Sequence, residues 1–67
     1  MTIRDFAKSV DHKVVGKLKR YPELEQLNET DNKKRRYRFY MDEGGNEYWV
    51  DTKTHSVSIV KADGGVI

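Results

Sequence analysis

Cysteine is absent from this 67-residue chain. Without cysteine there can be no disulfide and no thiolate metal site, and a small domain that lacks disulfides is typical of a reducing compartment. The sequence also lacks a signal-peptide pattern, and no apolar run approaches the roughly 20 residues that a membrane-spanning helix needs. With Met1 expected to be the native start, these absences predict a soluble, cytoplasmic protein that has no membrane partner.

Proline occurs once, at Pro22, and it separates two sequence patterns. Before it, apolar residues recur at the three- and four-residue steps of a helix with one buried stripe: Ile3, Phe6, Ala7, Val10, Val14, Leu18 and Tyr21. Thr2 and Asp5 have the spacing of a capping box. The pattern predicts a helix over about residues 3–20, continuous or kinked once near Val10. Pro22 can open one further helical turn directly after it.

Beyond residue 36 the apolar and polar side chains alternate, which is the period of a β-strand. The set predicted to face inward is Tyr37, Phe39, Met41, Tyr48, Val50, Val57 and Ile59. A glycine-containing turn over residues 42–46 and a loop over 52–55 separate three strands, and residues 62–67 are expected to fray or add a short edge piece. The sequence predicts a single α+β domain over residues 1–67, in which the N-terminal helix packs on a three-stranded antiparallel meander.

The alternation also predicts how the strands pair. The expected cross-strand pairs are Arg38–Asp51, Phe39–Val50, Tyr40–Trp49, Met41–Tyr48, Tyr48–Ile59, Trp49–Ser58 and Val50–Val57. In this register Tyr40 and Trp49 lie side by side on the sheet face turned away from the helix, with Arg36 and Arg38 along the first strand. Because Trp and Tyr are enriched at binding hot spots, these four residues are the predicted site for a protein partner or a second copy. The alternative is that the Tyr40–Trp49 pair serves only to stabilise the sheet.

A basic run suggests a second partner class. Residues 33–41 hold five bases and no acid, although the net charge of the whole chain is only +2. The bases are Lys33, Lys34, Arg35, Arg36 and Arg38. Cationic side chains neutralise phosphates and aromatic residues on a sheet can stack on unpaired bases, so nucleic-acid binding is the alternative function. The simpler interpretation is that the charges solvate an edge strand and protect it from aggregation.

Catalytic signals are missing. His12 is predicted on the helix and His55 in a loop, and no nucleophile pattern accompanies either of them. The paired glycines belong to turns, not to a phosphate-binding loop after a strand, and no converging metal ligands are recognisable. We therefore expect no enzyme activity, no cofactor, no metal and no small-molecule substrate.

The second half of the chain resembles a known family. Residues 47–57 read EYWVDTKTHSV, and they follow the strand YRFY at 37–40 and the turn DEGGN at 42–46. This order is similar to that of PepSY-like modules, which have a strand, a glycine-containing turn and a strand ending in a Val-Asp-x-x-Thr-Gly-x-Val hairpin; His55 stands where that pattern has glycine. The resemblance covers residues 37–60 and implies a non-catalytic protein-binding or inhibitory role. The predicted function is a small interaction or regulatory module.

Overall fold

The computed structural model describes residues 2–27 and 36–67. Their elements are α1 (Ile3–Ser9), β1 (Lys19–Arg20), α2 (Pro22–Leu27), β2 (Tyr37–Met41), β3 (Glu47–Asp51) and β4 (Val57–Val60). The strands form one antiparallel sheet in the order β1-β2-β3-β4. The α+β class is confirmed, but the described part of the chain contains four strands where the sequence predicted three. The loop expected over residues 28–32 lies outside the described residues.

Helix α1 begins at the predicted capping box. The Thr2 hydroxyl oxygen accepts a hydrogen bond from the Asp5 N–H at 3.1 Å, and the Asp5 carboxylate accepts one from the Thr2 N–H at 3.2 Å. These bonds use two N–H groups that a helix start leaves without intrahelical partners. The hydrogen bonds from Thr2 also lower the pKa of Asp5.

The same helix ends at Ser9, so the prediction of one helix to residue 20 is wrong. Asp11 has a φ of 56°, in the left-handed region. Its N–H donates to the carbonyl of Lys8 at 3.2 Å, and the N–H of His12 donates to the carbonyl of Ala7 at 2.8 Å. This pair of bonds is the Schellman ending of a helix, in which a glycine usually holds the left-handed position. An aspartate there gives no sequence signal of a helix end.

The segment after this turn forms the fourth strand instead of more helix. Gly16 has a φ of 66°, which turns the chain towards the sheet, and Lys19 and Arg20 then pair with Met41 and Tyr40. Pro22 cannot donate to a strand ladder, and it opens α2, the extra turn that the sequence predicted.

The β2–β3 hairpin has a register one residue different from the predicted one. Phe39 lies opposite Trp49, and Tyr40 lies opposite Tyr48. The turn closes at the pair Asp42 and Asn46, where the Asp42 N–H donates to the Asn46 carbonyl at 3.1 Å. Its three-residue loop has Gly45 at a φ of 87°, as a three-residue hairpin loop requires. The predicted pair Met41–Tyr48 encloses one more residue than the observed pair Met41–Glu47 does. A slip of one residue moves every side chain of β2 to the opposite face relative to β3.

The sheet is consequently apolar on both sides of β2. On the inner face, α1 and the segment after it pack on Tyr48, Val57 and Ile59, all of which are buried, with Tyr40 and Val50 at the margin. On the other face, Phe39 is buried as well, although it belonged to the predicted inner set. The predicted inner set therefore divides between the two faces. Its β2 members lie on the face turned away from α1, where their cross-strand pairs are Tyr37–Asp51, Phe39–Trp49 and Met41–Glu47.

The β3–β4 hairpin agrees with the prediction. Tyr48 pairs with Ile59, Trp49 with Ser58 and Val50 with Val57. Beyond β4 the chain turns back, so that Val66 bridges to Val60 and the Ile67 N–H donates to the Ile59 carbonyl at 3.0 Å. The C-terminal residues thus add the short edge piece that was one of the two expected outcomes.

Candidate functional site

The face of the sheet opposite α1, here called the outer face, carries a row of three cross-strand neighbours: Phe39, Trp49 and Ser58. The rings of Phe39 and Trp49 meet edge to face, with centroids 4.7 Å apart and an angle of 81° between their planes. This geometry is favourable because the positive edge of one ring meets the negative face of the other. Trp49 is therefore fixed in position while it remains only half-buried.

Helix α2 covers one end of this row. The ring of Tyr21, just before α2, lies edge-on to Phe39 at 6.1 Å, and the Glu25 carboxylate accepts a hydrogen bond from the Phe39 N–H at 2.9 Å. Phe39 is left 2% exposed, whereas Ser58 at the other end of the row is exposed. The covering of the outer face thus decreases from β2 to β4.

The Glu25 carboxylate accepts a hydrogen bond from β2 at a position where a longer β1 would provide a backbone carbonyl. The last backbone hydrogen bond from the β1 segment to β2 runs from the Tyr21 N–H to the Phe39 carbonyl at 3.1 Å. The Phe39 N–H itself donates to the Glu25 carboxylate instead of to a strand carbonyl. Arg20 holds this carboxylate with two hydrogen bonds of 3.1 and 3.2 Å. Burial alone would raise the pKa of Glu25, but the bonds from Arg20 and Phe39 outweigh it and lower that pKa. A buried acid (4% exposed) thus closes the sheet edge.

The structure separates the four predicted binding residues. Tyr40 lies opposite Tyr48 on the inner face and packs against the core, so the predicted Tyr40–Trp49 pair is wrong. Arg38 is opposite Val50 on that same inner face, with an exposed side chain. Of the four, Trp49 is the residue that lies on the outer face within a strand.

The basic run is partly occupied by internal contacts. Arg36, not Arg38, pairs with Asp51, with hydrogen bonds of 3.0 Å from Nε and an Nη2 contact of 2.8 Å. The hydrogen bonds from Arg36 lower the pKa of the Asp51 carboxyl well below its usual range. Asp51 also accepts from the backbone N–H groups of Lys53 and Thr54, which fixes the β3–β4 loop. The remaining bases, Lys33, Lys34 and Arg35, lie outside the described residues.

A second polar cluster centres on Asp42, which is 5% exposed. Its carboxylate accepts hydrogen bonds from the backbone N–H groups of Val15, Gly44 and Asn46 at 2.9–3.0 Å, from the Asn46 amide at 2.8 Å and from the Tyr48 hydroxyl at 2.7 Å. Burial alone would raise the pKa of Asp42, but the bonds from Val15, Asn46 and Tyr48 outweigh it and lower that pKa to about 2. The ionised Asp42 therefore joins the β2–β3 turn to the segment after α1.

The chain of hydrogen bonds continues from Asp42 to His12. Tyr48 is fully buried, and burial together with its bond to Asp42 raises the pKa of its hydroxyl well above the usual range. The single Tyr48 proton goes to the carboxylate, so the Tyr48 oxygen accepts from His12 Nε2 at 2.9 Å. His12 Nε2 therefore carries the hydrogen of this contact, and Nδ1 has no hydrogen-bond partner among the described residues.

His12 also forms part of an open depression of about 530 Å³ beside α1. Its lining consists of Arg4, Ala7, Lys8, Asp11, His12, Lys13 and Val14. We call this the basic depression, since three of its side chains are Lys or Arg and one is acidic. Sequence reasoning missed it, although Arg4, Lys8 and His12 recur at four-residue steps, which is the spacing of neighbours on one helical face.

Comparisons with known proteins give no relative: the chain matches no protein-family model, no curated protein and no solved structure. Within residues 2–27 and 36–67, no three His, Asp or Glu side chains are arranged to hold a metal ion. In the same residues, no helix has the length and apolarity to cross a membrane.

Proposed function

We propose that this chain is a small, non-catalytic interaction module that binds a protein partner through the β3–β4 half of the outer face, with Trp49 as the anchor. The observation that carries the proposal is the increase in solvent exposure along one row of cross-strand neighbours. Phe39 is buried, Trp49 is half-buried and Ser58 is exposed. The sheet thus presents a large aromatic side chain beside a small polar one, next to a surface that α2 does not reach.

The energetics favour Trp49 as an anchor. Tryptophan buries a large area on contact, and about 2 kcal/mol or more is typical of such a residue at the centre of an interface. Its ring is already held edge-on by Phe39 at 4.7 Å, so little side-chain freedom remains to be lost when a partner binds. Ser58 allows a partner backbone to approach closely.

A photo-crosslinking experiment tests the proposal. A photoreactive phenylalanine derivative replaces Ser58 in the whole chain, and a matched control carries it at Lys53, an exposed residue of the β3–β4 loop. We expect one discrete protein adduct from the Ser58 position and none from Lys53. The same adduct should disappear when Trp49→Ala is added, provided that circular dichroism shows the fold intact. Identical adducts from both positions, or an adduct that Trp49→Ala does not affect, would contradict the proposal.

Ser58→Arg supplies an independent variant, because it adds bulk and charge beside Trp49 without removing a core contact. It should abolish partner binding while the melting temperature stays within about 4 °C of the parent, as for most surface substitutions. An adduct of twice the chain mass, together with a dimer in sedimentation, would identify the partner as a second copy.

Nucleic-acid binding through the basic run makes a different prediction. Arg38 is exposed, whereas Arg36 is engaged by Asp51. If this alternative holds, an oligonucleotide must bind at low salt and be released steeply as salt rises, and Ser58→Arg must leave binding intact. The cytoplasmic location belongs to the same proposal, and the absence of cysteine supports it.

A further inference from the structure

The basic depression has the features of a binding site for a small anion, and it is separate from the outer face. Its floor is formed by Ala7 and Val14, which are only 1% and 8% exposed, so the apolar surface open to a ligand comes chiefly from the aliphatic stems of the exposed lining cations. Its rim carries the exposed cations Arg4, Lys8 and Lys13. The volume of about 530 Å³ lies within the range of roughly 300–1,000 Å³ that is usual for small-ligand sites.

Three carbonyls near the end of α1 are occupied by the turn that follows. A helix C-terminus normally presents unpaired carbonyl oxygens, which repel negative charge. In α1 the carbonyls of Ala7 and Lys8 accept from the N–H groups of His12 and Asp11, and the Phe6 carbonyl accepts from the Val10 N–H at 3.2 Å. The turn thus leaves fewer unpaired carbonyl oxygens at this end of α1 to repel an anion.

Two of the lining side chains are held in place. One Nη of Arg4 donates to the Gly16 carbonyl at 2.6 Å, which leaves the other donors of its guanidinium for a ligand. His12 Nε2 donates to Tyr48, and Tyr48 in turn is held by the buried Asp42. A positively charged, partly preorganised rim with aliphatic stems favours a ligand that has both a charged and an apolar part.

We propose that the basic depression binds a phosphate monoester, with the phosphate among Arg4, Lys8 and Lys13 and the apolar part of the ester against the aliphatic stems of these side chains. A dianion suits this rim better than a single carboxylate does, because three cations face one acid, Asp11. Arg and Lys are the side chains that recognise phosphate by charge-assisted hydrogen bonds. This is a binding site, and no chemical step is assigned to it.

Nuclear magnetic resonance gives a direct test, since the chain has two histidines. Phenyl phosphate and inorganic phosphate are titrated separately at constant ionic strength. We expect both to shift the imidazole resonances of His12 and neither to shift those of His55, which lies in the β3–β4 loop and lines no part of the depression. Because the aliphatic stems of the lining cations can contact the ring, phenyl phosphate should bind more tightly than inorganic phosphate.

Charge variants complete the test. The double substitution Lys8→Gln and Lys13→Gln should weaken phenyl phosphate binding about tenfold, as expected for the loss of charge-assisted contacts worth about 1.4 kcal/mol together. Lys53→Gln with Lys61→Gln is the matched control and should bind like the parent, and Asp11→Asn should bind more tightly. The proposal is overturned if neither phosphate shifts His12, if the two double variants bind equally, or if an oligonucleotide binds while both small phosphates do not.

Discussion

The Tyr48 hydroxyl donates a hydrogen bond of 2.7 Å to the Asp42 carboxylate, and both residues are buried. Tyr48→Phe removes that donor and also the acceptor of His12 Nε2. Because a buried group that loses its partner typically costs about 1–3 kcal/mol, we expect a destabilisation of that size. Urea denaturation of the parent and the variant measures it. Tyr21→Phe, which changes a half-buried tyrosine outside this cluster, is the matched control.

The stability of the fold should depend on pH through Asp42. Its pKa is about 2 in the folded chain, against 3.8 for the ordinary carboxyl. A carboxyl with a lowered folded-state pKa stabilises the fold fully above its unfolded pKa, and this contribution is lost as the pH falls through the folded value. The difference corresponds to about 2 kcal/mol, so stability should fall between about pH 4 and about pH 2. The lowered pKa values of Glu25 and Asp51 act in the same direction.

Asp42→Asn separates this contribution from the general effect of acid. The amide keeps one acceptor oxygen but loses the negative charge. Its NH₂ group would face backbone N–H groups that now donate to the Asp42 carboxylate. We expect a less stable protein at pH 7 and a shallower fall in stability below pH 4, measured by denaturation at a series of pH values. A parent and variant with parallel pH profiles would show that Asp42 does not control the acid transition.

Glu25 should contribute more to the stability of the fold than expected for an acid in a charged segment. Glu25→Ala leaves the Phe39 N–H unpaired in a buried position, which should cost about 1–3 kcal/mol. Glu23→Ala changes an exposed acid of the same helical turn and should have an effect within about 0.5 kcal/mol. Hydrogen exchange at the Phe39 amide gives the local readout, and faster exchange is expected in Glu25→Ala but not in Glu23→Ala.

His55 has a φ of 61° in the β3–β4 loop. Left-handed backbone costs a non-glycine residue about 1–2 kcal/mol, while glycine loses more freedom on folding. We expect His55→Gly to stabilise the domain by about 0.5–1 kcal/mol as the net effect. Lys53→Gly, in the same loop at a negative φ, should be neutral or destabilising. Equal shifts of the melting temperature in the two variants would contradict this explanation.

Elements that have a strong periodicity or a distinctive local residue pattern could be predicted from the sequence. The capping box of Thr2 and Asp5, the extra turn after Pro22 and the whole β3–β4 pairing follow from residue spacing and turn composition. The end of α1 could not be predicted, because Asp11 takes the left-handed position where a glycine is expected. β1 is only two residues long and both are exposed, so it has no periodicity to recognise.

The site residues depended on a register that alternation alone cannot decide. β2 has aromatic residues on both of its faces, since Phe39 is buried on the outer face and Tyr40 packs on the inner one. Both registers therefore offer a plausible apolar face, and the choice rests on one residue of turn length near Asp42. Its carboxylate fixes the shorter turn, which is a tertiary effect because Val15 supplies one of the donors.

The most direct test of this account is the register of the β2–β3 hairpin, since both the exposure of Trp49 and the Tyr48–His12 contact depend on it. Phe39 and Trp49 form a non-hydrogen-bonded pair in this register, because they lie three pairs along the ladder from the hydrogen-bonded pair Asp42–Asn46 and the two kinds of pair alternate. Their α-hydrogens should then give a strong nuclear Overhauser effect, as close Cα pairs of this kind do. An effect between the α-hydrogens of Tyr40 and Trp49 instead would contradict the account.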